Sequence, residues 1–166
     1  SWKIVLLKIV LGGFKMLKYL NNKLIVLENN YISKNDILIK LIDLIDKNTN
    51  LLLKKELFLE KIMEREEIGT TGIGKGIAVP HARCEELKDI VMALAVVKVP
   101  IDFNTPDEDK VKVILLVGAP KDKNNEYLDL LASISKSFRN SEFRGSVMCA
   151  HSEDELVEIV ANYFED

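Results

Sequence analysis

The sequence predicts an α/β fold in which a mixed sheet of about five strands is sandwiched by helices. Short apolar runs bounded by turn residues alternate with amphipathic helical patterns along the 166 residues, and this alternation favours strands that alternate with helices. Two of the runs, at residues 90–99 and 111–118, are almost wholly apolar, as strands covered on both faces are. A chain of this length is expected to form one domain with a substantial core.

The first half of the chain is predicted to contain one strand and two helices. The strand is expected at residues 23–27. Ser33 followed by Asp36 resembles a capping box, with Asp in place of the usual Glu or Gln, and predicts a helix that ends near Lys47. A second helix is expected over residues 54–67. The inward-facing residues predicted for these helices are Ile37, Leu38, Leu41, Ile42, Leu44 and Ile45, and then Leu57, Phe58 or Leu59, Ile62 and Met63.

The second half is predicted to contain the two apolar strands and three helices. We expect the first apolar strand to end before Pro100. Helices are expected over residues 126–138 and 143–150, and a capping box between Ser152 and Glu155 predicts the start of a last helix. The predicted inner face of the helix at 126–138 consists of Leu128, Leu131, Ile134 and Phe138.

Composition excludes some function classes. The formal net charge is −3, so no basic excess argues for nucleic-acid binding. Cys84 and Cys149 form no spaced framework, which suits a reducing compartment and favours a cytoplasmic location.

Residues 1–15 are predicted to be an N-terminal extension that precedes a domain over residues 16–166. The extension is apolar but interrupted by Lys3 and Lys8, and it is shorter than the ~20 apolar residues that span a bilayer. No small-residue cleavage site follows it, as a secretory signal would require. We interpret it as an upstream or artificially added segment that packs on the domain or on a neighbour, with a native regulatory arm as the alternative.

Residues 69–83 predict an anion site beside a nucleophile. Glycine lets backbone N–H groups approach a ligand closely, and a concavity of such groups suits an anion, usually phosphate. An apolar run at residues 77–79 is typical of a short buried strand. His81 follows it, and its imidazole has a nucleophilic ring nitrogen at neutral pH. The glycines of the stretch are Gly69, Gly72, Gly74 and Gly76.

Two other interpretations of this stretch are weaker. Residues 69–75 fit the G-x-x-x-x-G-K pattern of a nucleotide-binding loop, but Gly76 stands where Ser or Thr should bind Mg²⁺. The stretch also follows a helical pattern, whereas such a loop follows a strand. His81 and Cys84 have the spacing of a metal pair, but no second pair accompanies them, so no metal site is predicted.

With the preceding helix end, the stretch resembles the IIA domain of the bacterial phosphoenolpyruvate-dependent sugar phosphotransferase system. The resemblance is to the type-2 superfamily, which contains fructose, mannitol and nitrogen-regulatory members, and it extends from about Leu24 to Phe164. The residues that carry it are Met63, Glu64, Arg65 and Glu66, then Gly69, Thr70 and Thr71, and then residues 74–82, which read Gly-Lys-Gly-Ile-Ala-Val-Pro-His-Ala.

The resemblance implies roles for several residues. His81 is expected to be the phosphorylated nucleophile, and Arg65 to help hold the phosphoryl group. From the sequence alone, Arg65 could instead complement a helix dipole or pair with a nearby Glu. The backbone amides of the glycine loop and two hydroxyl groups are expected to bind phosphate, with Lys75 directed at phosphate or at water. The residues predicted to bind phosphate are Thr70, Thr71, Gly74 and Gly76.

One position departs from the family pattern. Family members place a second histidine at the start of the helix near residue 126, and by register that position is Tyr127. Its hydroxyl could donate to the phosphoryl group or orient His81, but it cannot carry an imidazolium charge. Arg83 either assists at the rim, meets an acidic partner or is a solvated charge. The other histidine, His151, is interpreted as a surface residue.

The implied function is that of a phosphoryl carrier. His81 would accept phosphate from the carrier protein HPr and pass it to a IIB domain, and so to a sugar taken up by a membrane IIC partner. No ATP, metal or other cofactor is required, because the donor is already activated. The alternative is a nitrogen-regulatory IIA whose phosphorylation state controls protein partners without sugar transport. A third interpretation, an inactive relative, is disfavoured by the intact run from Gly74 to His81.

Overall fold

The computed structural model describes Lys3 and residues 13–163 of the chain. The predicted N-terminal extension at residues 1–15 therefore lies almost entirely outside the described residues. A short helix crosses the predicted domain boundary, and Met16 within it is buried in the core.

The described residues form six strands and six helices, which confirms the predicted α/β class. The sheet has six strands instead of about five. The strands are β1 (Ile25–Glu28), β2 (Gly72–Gly74), β3 (Ile77–Ala78), β4 (His81–Arg83), β5 (Val91–Ile101) and β6 (Val111–Ala119). The helices are α1 (Gly13–Leu17), α2 (Lys34–Asn48), α3 (Lys55–Ile68), α4 (Asn124–Arg139), α5 (Ser141–Met148) and α6 (Glu153–Asn162). Short 3₁₀ helices precede β1 and α4, at Asn22–Leu24 and Lys121–Lys123.

The sheet is mixed, as predicted, and β6 is its central strand. Antiparallel β5 lies on one side of β6, and β1 is added to β5 in parallel. On its other side β6 pairs in parallel with both β3 and β4, and β2 closes a hairpin onto β3. Since β3 pairs with the first half of β6 and β4 with the second, residues 77–83 act as one strand interrupted at Pro80. The Pro80 carbonyl still accepts the Val117 N–H at 2.9 Å.

The strand β5 runs past the proline that was expected to end it. Val96 lies opposite Val113 and Ile101 opposite Val111, so five steps on β5 match two on β6. Proline lacks an N–H and is tolerated at such an irregularity of the ladder. The prediction that the strand ends before Pro100 was therefore wrong, because a bulge replaces the regular ladder at this point.

Capping signals located two helices correctly. The Ser33 hydroxyl accepts the Asp36 N–H at 3.1 Å at the start of α2, and the Ser152 hydroxyl accepts the Glu155 N–H at 3.0 Å at the start of α6. The Glu155 carboxylate accepts the N–H of His151 at 2.8 Å, one residue before the position that a capping box requires.

The buried face of α4 differs from the predicted one. Leu128 is 49% exposed and Leu131 is only half-buried, whereas Ile134 and Phe138 are buried as expected. The face includes polar side chains, and the Ser137 hydroxyl is satisfied by donating to the Ser133 carbonyl at 2.7 Å. The hydrophobic pattern alone therefore predicted the wrong face of α4 to be buried. The residues buried on α4 are Tyr127, Leu130, Ser133, Ile134, Ser137 and Phe138.

The helices form two groups that meet different parts of the sheet. In one group α2 packs with α3, and these helices contact β5 and β4 respectively. In the other group α5 packs with both α4 and α6, and α1 contacts α4 and α6. The C-terminal end of α3 and the N-terminal end of α4 approach each other beside β4. The predicted nucleophile lies at this point.

The packing of α3 on the sheet depends on the absence of a side chain at Gly118. A Cβ atom at this position would lie 2.5 Å from the ring of Phe58 and 2.9 Å from Leu87. Phe58 is fully buried and sits on α3, two turns before Arg65. Gly118 thus allows α3 to lie close enough to β6 for its C-terminal end to reach β4.

We expect Gly118→Ala to destabilise the fold by about 1–3 kcal/mol, because the new methyl group overpacks the buried ring of Phe58. Gly145→Ala is the matched control. Gly145 is helical with no atom within 4 Å of an added Cβ, so this substitution should stabilise by about 0.5–1 kcal/mol. Urea unfolding of the three proteins measures both changes, and an equal effect of the two substitutions would contradict the close-packing explanation.

Candidate functional site

His81 is the first residue of β4 and lies opposite Val117 in the parallel pair. The side chain is half-buried, and its Nδ1 lies 2.6 Å from the Val79 carbonyl oxygen. Because a carbonyl oxygen only accepts, the proton of a neutral ring must be on Nδ1. The lone pair is then on Nε2, and this nitrogen is available as a nucleophile.

The surroundings of His81 keep its ring neutral. Burial lowers the pKa of His81 below its ordinary value, and the positive charge of Arg65 lowers it further. The hydrogen bond to Val79 and the negative charge of Glu66 act in the opposite direction without cancelling the shift. An imidazole with a lowered pKa is unprotonated at neutral pH, which is the state that a nucleophilic nitrogen requires.

A surface cavity of about 380 Å³ opens beside His81. It collects residues from the end of α3, from β4 and from the start of α4. Four of the residues predicted for the site are brought together here, namely Arg65, His81, Arg83 and Tyr127. The complete lining consists of Lys61, Glu64, Arg65, Ile68, His81, Ala82, Arg83, Tyr127, Leu128 and Leu131.

Arg65 lies in the last turn of α3. Its Nη1 donates to the Gly69 carbonyl at 2.8 Å, so the guanidinium satisfies a carbonyl at the helix end, as one interpretation of the sequence expected. The same group lines the cavity and acts electrostatically on His81. The bond to Gly69 fixes the position of the guanidinium. Because a guanidinium carries five N–H donors, other donors remain for an anion.

Tyr127 faces the nucleophile from the first turns of α4. The ring centroids of Tyr127 and His81 are 6.3 Å apart, and Arg83 Cζ lies 5.5 Å from the Tyr127 centroid. Burial raises the pKa of Tyr127 to about 12, although the charges of Arg83 and Arg65 oppose the rise. The hydroxyl therefore stays protonated at neutral pH and keeps its hydrogen-bond donor.

The two threonines predicted to bind phosphate have their hydroxyls on other partners. Thr70 donates to the Phe103 carbonyl and also accepts the Gly72 N–H at 3.0 Å. Thr71 is buried and donates to the Glu66 carboxylate. Neither threonine lines the cavity beside His81, so a phosphate-binding role for them stays a prediction that this geometry does not support.

The two glycines that were predicted to bind phosphate lie in a hairpin turn and do not line the cavity beside His81. Gly74, Lys75 and Gly76 have φ values of +92°, +59° and +82°, which explains the glycines, since left-handed backbone favours residues without a Cβ. The Lys75 N–H donates to Asp107 Oδ2 at 2.9 Å. Neither Gly74 nor Gly76 lines the cavity beside His81, and their phosphate-binding role also stays a prediction.

Sequence reasoning missed part of the α3 side of the cavity. Lys61 lies one turn before Arg65 and Glu64 directly before it, and both line the same cavity. Lys61 Nζ lies 3.9 Å from Glu64 Oε2. For Lys61, the spacing of four residues along a helix was the available signal.

Among residues 13–163, no group of three or more His, Cys, Asp or Glu side chains is arranged to hold a metal ion. Within this same span, no helix is long and apolar enough to cross a membrane.

The sequence profile of the family described as "Phosphoenolpyruvate-dependent sugar phosphotransferase system, EIIA 2" matches residues 18–163. The chain belongs to this family. The resemblance found in the motif around His81 is thereby confirmed over almost the whole chain.

Its relatives include both a fructose-specific phosphotransferase-system component and nitrogen regulatory proteins. The chain is 32% identical to the nitrogen regulatory protein of Klebsiella oxytoca over 111 residues, which cover 65% of this chain and 67% of that protein. It is 28% identical to the fructose-specific EIIABC component of Bacillus subtilis over 127 residues, or 76% of this chain. The chain spans only 20% of the length of that Bacillus protein.

Solved structures share the fold. Nitrogen regulatory protein IIA-Ntr from Neisseria meningitidis superposes with a TM-score of 0.79 at 25% identity, covering 87% of this chain and 98% of that one. The mannitol IIA of Escherichia coli, in its complex with phosphorylated IIB, superposes with a TM-score of 0.73 at 18% identity, with coverages of 87% and 98%. For that mannitol protein, a IIA domain is thus seen bound to its IIB partner.

We expect Arg65→Gln to raise the pKa of His81, because removal of a nearby positive charge favours the imidazolium form. In the unaltered protein the pKa should lie below the ordinary value of about 6.5. Titration of the ring by NMR measures both values and identifies the nitrogen that carries the proton. Arg83→Gln is the comparison variant and should have a smaller effect, since Arg83 lines the same cavity but the shift of the His81 pKa arises from burial, Val79, Arg65 and Glu66. A pKa at or above the ordinary value would contradict the described environment.

Proposed function

We propose that the chain is a phosphoryl carrier that is phosphorylated on Nε2 of His81. The observation that carries the proposal is the contact between His81 Nδ1 and the Val79 carbonyl, which directs the lone pair to Nε2. The cavity beside this ring is lined by two guanidinium groups and a tyrosine. Membership of a phosphotransferase-system family supports the same chemistry.

In the proposed step, Nε2 attacks the phosphorus of a phosphohistidine on HPr. The Nε2–P bond forms as the N–P bond of the donor breaks, and the electron pair of the broken bond goes to the donor ring nitrogen. The Nδ1 proton stays between His81 and the Val79 carbonyl. No proton has to move, so the contribution of the protein is positioning and electrostatic stabilisation.

The two arginines have complementary roles in this proposal. Arg65 is anchored on the Gly69 carbonyl and offers its remaining donors to the phosphoryl oxygens. Arg83 lies over the Tyr127 ring and neutralises charge on that side of the cavity. The protonated hydroxyl of Tyr127 is proposed to donate to the phosphoryl group or to orient His81, in place of the second histidine of the family.

The acceptor in this proposal is a IIB domain, which passes the phosphoryl group to a sugar carried by a membrane IIC domain. The fructose-specific EIIABC component of Bacillus subtilis supports this order, since its name combines A, B and C components. A cytoplasmic location follows from these partners and is part of the proposal.

A second candidate function is regulatory. The nitrogen regulatory proteins are among the more similar relatives in both sequence and structure, and they favour a chain whose phosphorylation state controls protein partners. The two candidates share His81 and differ in the acceptor. Transfer from the phosphorylated chain to a purified IIB domain supports the transport role, and a stable phosphoprotein in the presence of IIB supports the regulatory one.

We expect one acid-labile phosphoryl group to appear on the protein when it is mixed with enzyme I, HPr and phosphoenolpyruvate. Intact mass should show the gain in the unaltered protein and its loss in His81→Ala. His151→Ala is the matched control, because His151 is exposed and its ring lies beside the Glu155 carboxylate, away from the cavity of His81. Phosphorylation of His81→Ala, or none in the folded unaltered protein with a cognate HPr, would refute the proposal.

We expect Arg65→Gln to slow phosphorylation on the order of a hundredfold, since one charge-stabilising group is removed from the transition state. The rate should also fall as the pH drops below the pKa of His81, because the protonated ring has no lone pair on Nε2. Single-turnover quench-flow with phospho-HPr measures both effects. An Arg65→Gln rate equal to that of the unaltered protein would remove Arg65 from the proposed site.

A further inference from the structure

A second cavity, of about 320 Å³, lies apart from His81. Its walls are the hairpin turn at Gly74 and Lys75, the C-terminal half of α4 and Arg144 of α5. No residue lines both cavities. The phosphate-binding pattern that the glycine stretch suggested is therefore located at a different place from the nucleophile.

This second cavity has a strongly positive lining on a chain whose net charge is −3. Lys75, Arg139 and Arg144 contribute three cations, and no acidic side chain lines it. Within the part of the chain that the structure describes, none of the three forms an ion pair. A concave site with unpaired cations attracts anions, because its low-dielectric walls concentrate the positive potential.

Hydrogen bonds anchor the guanidinium of Arg144 and the backbone turn that carries Lys75. Arg144 Nη1 donates to the Phe138 carbonyl at 2.8 Å, which anchors the guanidinium and leaves its other N–H donors available. The turn that carries Lys75 is fixed by Asp107. Asp107 Oδ2 accepts the Lys75 N–H at 2.9 Å and Oδ1 accepts the Asp109 N–H at 3.1 Å, so both oxygens of this neighbouring carboxylate are engaged with the backbone.

The size and remaining lining indicate the kind of anion. The volume lies at the lower end of the range for small-molecule sites, ≈ 300–1,000 Å³. Ser135 adds a hydroxyl, and Phe138 adds an apolar surface on which an organic group can rest. Arginine forks match the geometry of phosphate oxygens, and lysine adds a point charge.

We propose that this second cavity binds the phosphate group of a small molecule, supplied either as free phosphate or as a small phosphorylated metabolite. The proposal concerns reversible binding and includes no covalent step. It does not depend on phosphorylation of His81, because the two cavities share no lining residue.

The test measures binding of inorganic phosphate and of glycerol 3-phosphate to the whole chain at constant ionic strength. Amide shifts in ¹H–¹⁵N NMR spectra locate the site, and calorimetry gives the affinity. Arg139→Gln and Lys75→Asn are the test variants, since both side chains are exposed and Asn tolerates the left-handed backbone at position 75. Lys136→Gln is the matched control, because Lys136 is exposed on α4 and is absent from the lining of this cavity.

We expect saturable binding that shifts the amides of Gly74, Lys75 and Gly76. Each test variant should weaken binding by roughly tenfold or more, the effect of removing one charge-assisted hydrogen bond, while Lys136→Gln should change it by less than about twofold. Tighter binding of glycerol 3-phosphate identifies a metabolite site, and equal binding identifies a phosphate site.

Three outcomes overturn the proposal. The first is the absence of saturable binding, and the second is an equal loss of affinity in Lys136→Gln. The third is a loss of affinity confined to Arg65→Gln, measured in the same way, with amide shifts around His81. The last outcome would assign the anion to the cavity of the nucleophile. Loss of phosphorylation in His81→Ala bears only on the carrier function, so the two proposals fail independently.

Discussion

The contact between Phe58 and Gly118 is the constraint on which the functional site depends. Phe58 fixes the height of α3 above β6, and the missing side chain at position 118 allows the close approach. Because helix and strand are both rigid over this distance, the contact also determines where the end of α3 lies relative to β4. The guanidinium at the helix end and the imidazole at the strand start are thereby placed beside one cavity. A core contact between the Phe58 ring and the backbone of Gly118, neither of which takes part in the proposed chemistry, thus positions the reactive groups.

The electrostatics around His81 must meet two requirements, and one positive charge serves both. A phosphoryl group demands positive charge, and a nucleophilic imidazole must remain unprotonated. Arg65 meets both, since its charge attracts anions and also lowers the pKa of the ring. Glu66 lies on the same helix turn but is turned toward Thr71 and Lys34, with Lys34 Nζ 2.9 Å from its carboxylate. Its charge is paired there with that of Lys34, and it makes the smallest of the four contributions to the pKa of the His81 ring.

Helix α4 connects the two cavities of this protein. Its first turns carry Tyr127 at the nucleophile, and its last turn carries Arg139 at the basic cavity. Twelve residues of α-helix separate these two positions by about 18 Å, and the two linings lie one helical turn apart where they are nearest, at Leu131 and Ser135. The polar residues buried along the helix allow it to pack closely, since the Ser137 hydroxyl returns its hydrogen bond to the helix backbone.

The sequence by itself determined the fold class, the capped starts of α2 and α6 and the two central strands, and it predicted His81 as the nucleophile. These features depend on local signals, namely periodicity, capping and a contiguous motif. Only the tertiary structure decided the rotation of α4, because its buried face includes polar side chains such as Ser137, whose hydroxyl is satisfied by the helix backbone, and a hydrophobic pattern does not record this. It also separated the glycine turn from His81, since residues close in sequence diverge once β3 and β4 pair with different halves of β6. Arg65 and Tyr127 meet at His81 because parallel pairing and helix packing bring distant segments together. Periodicity and spacing do not record this proximity, and the sequence predicted it only through the family resemblance.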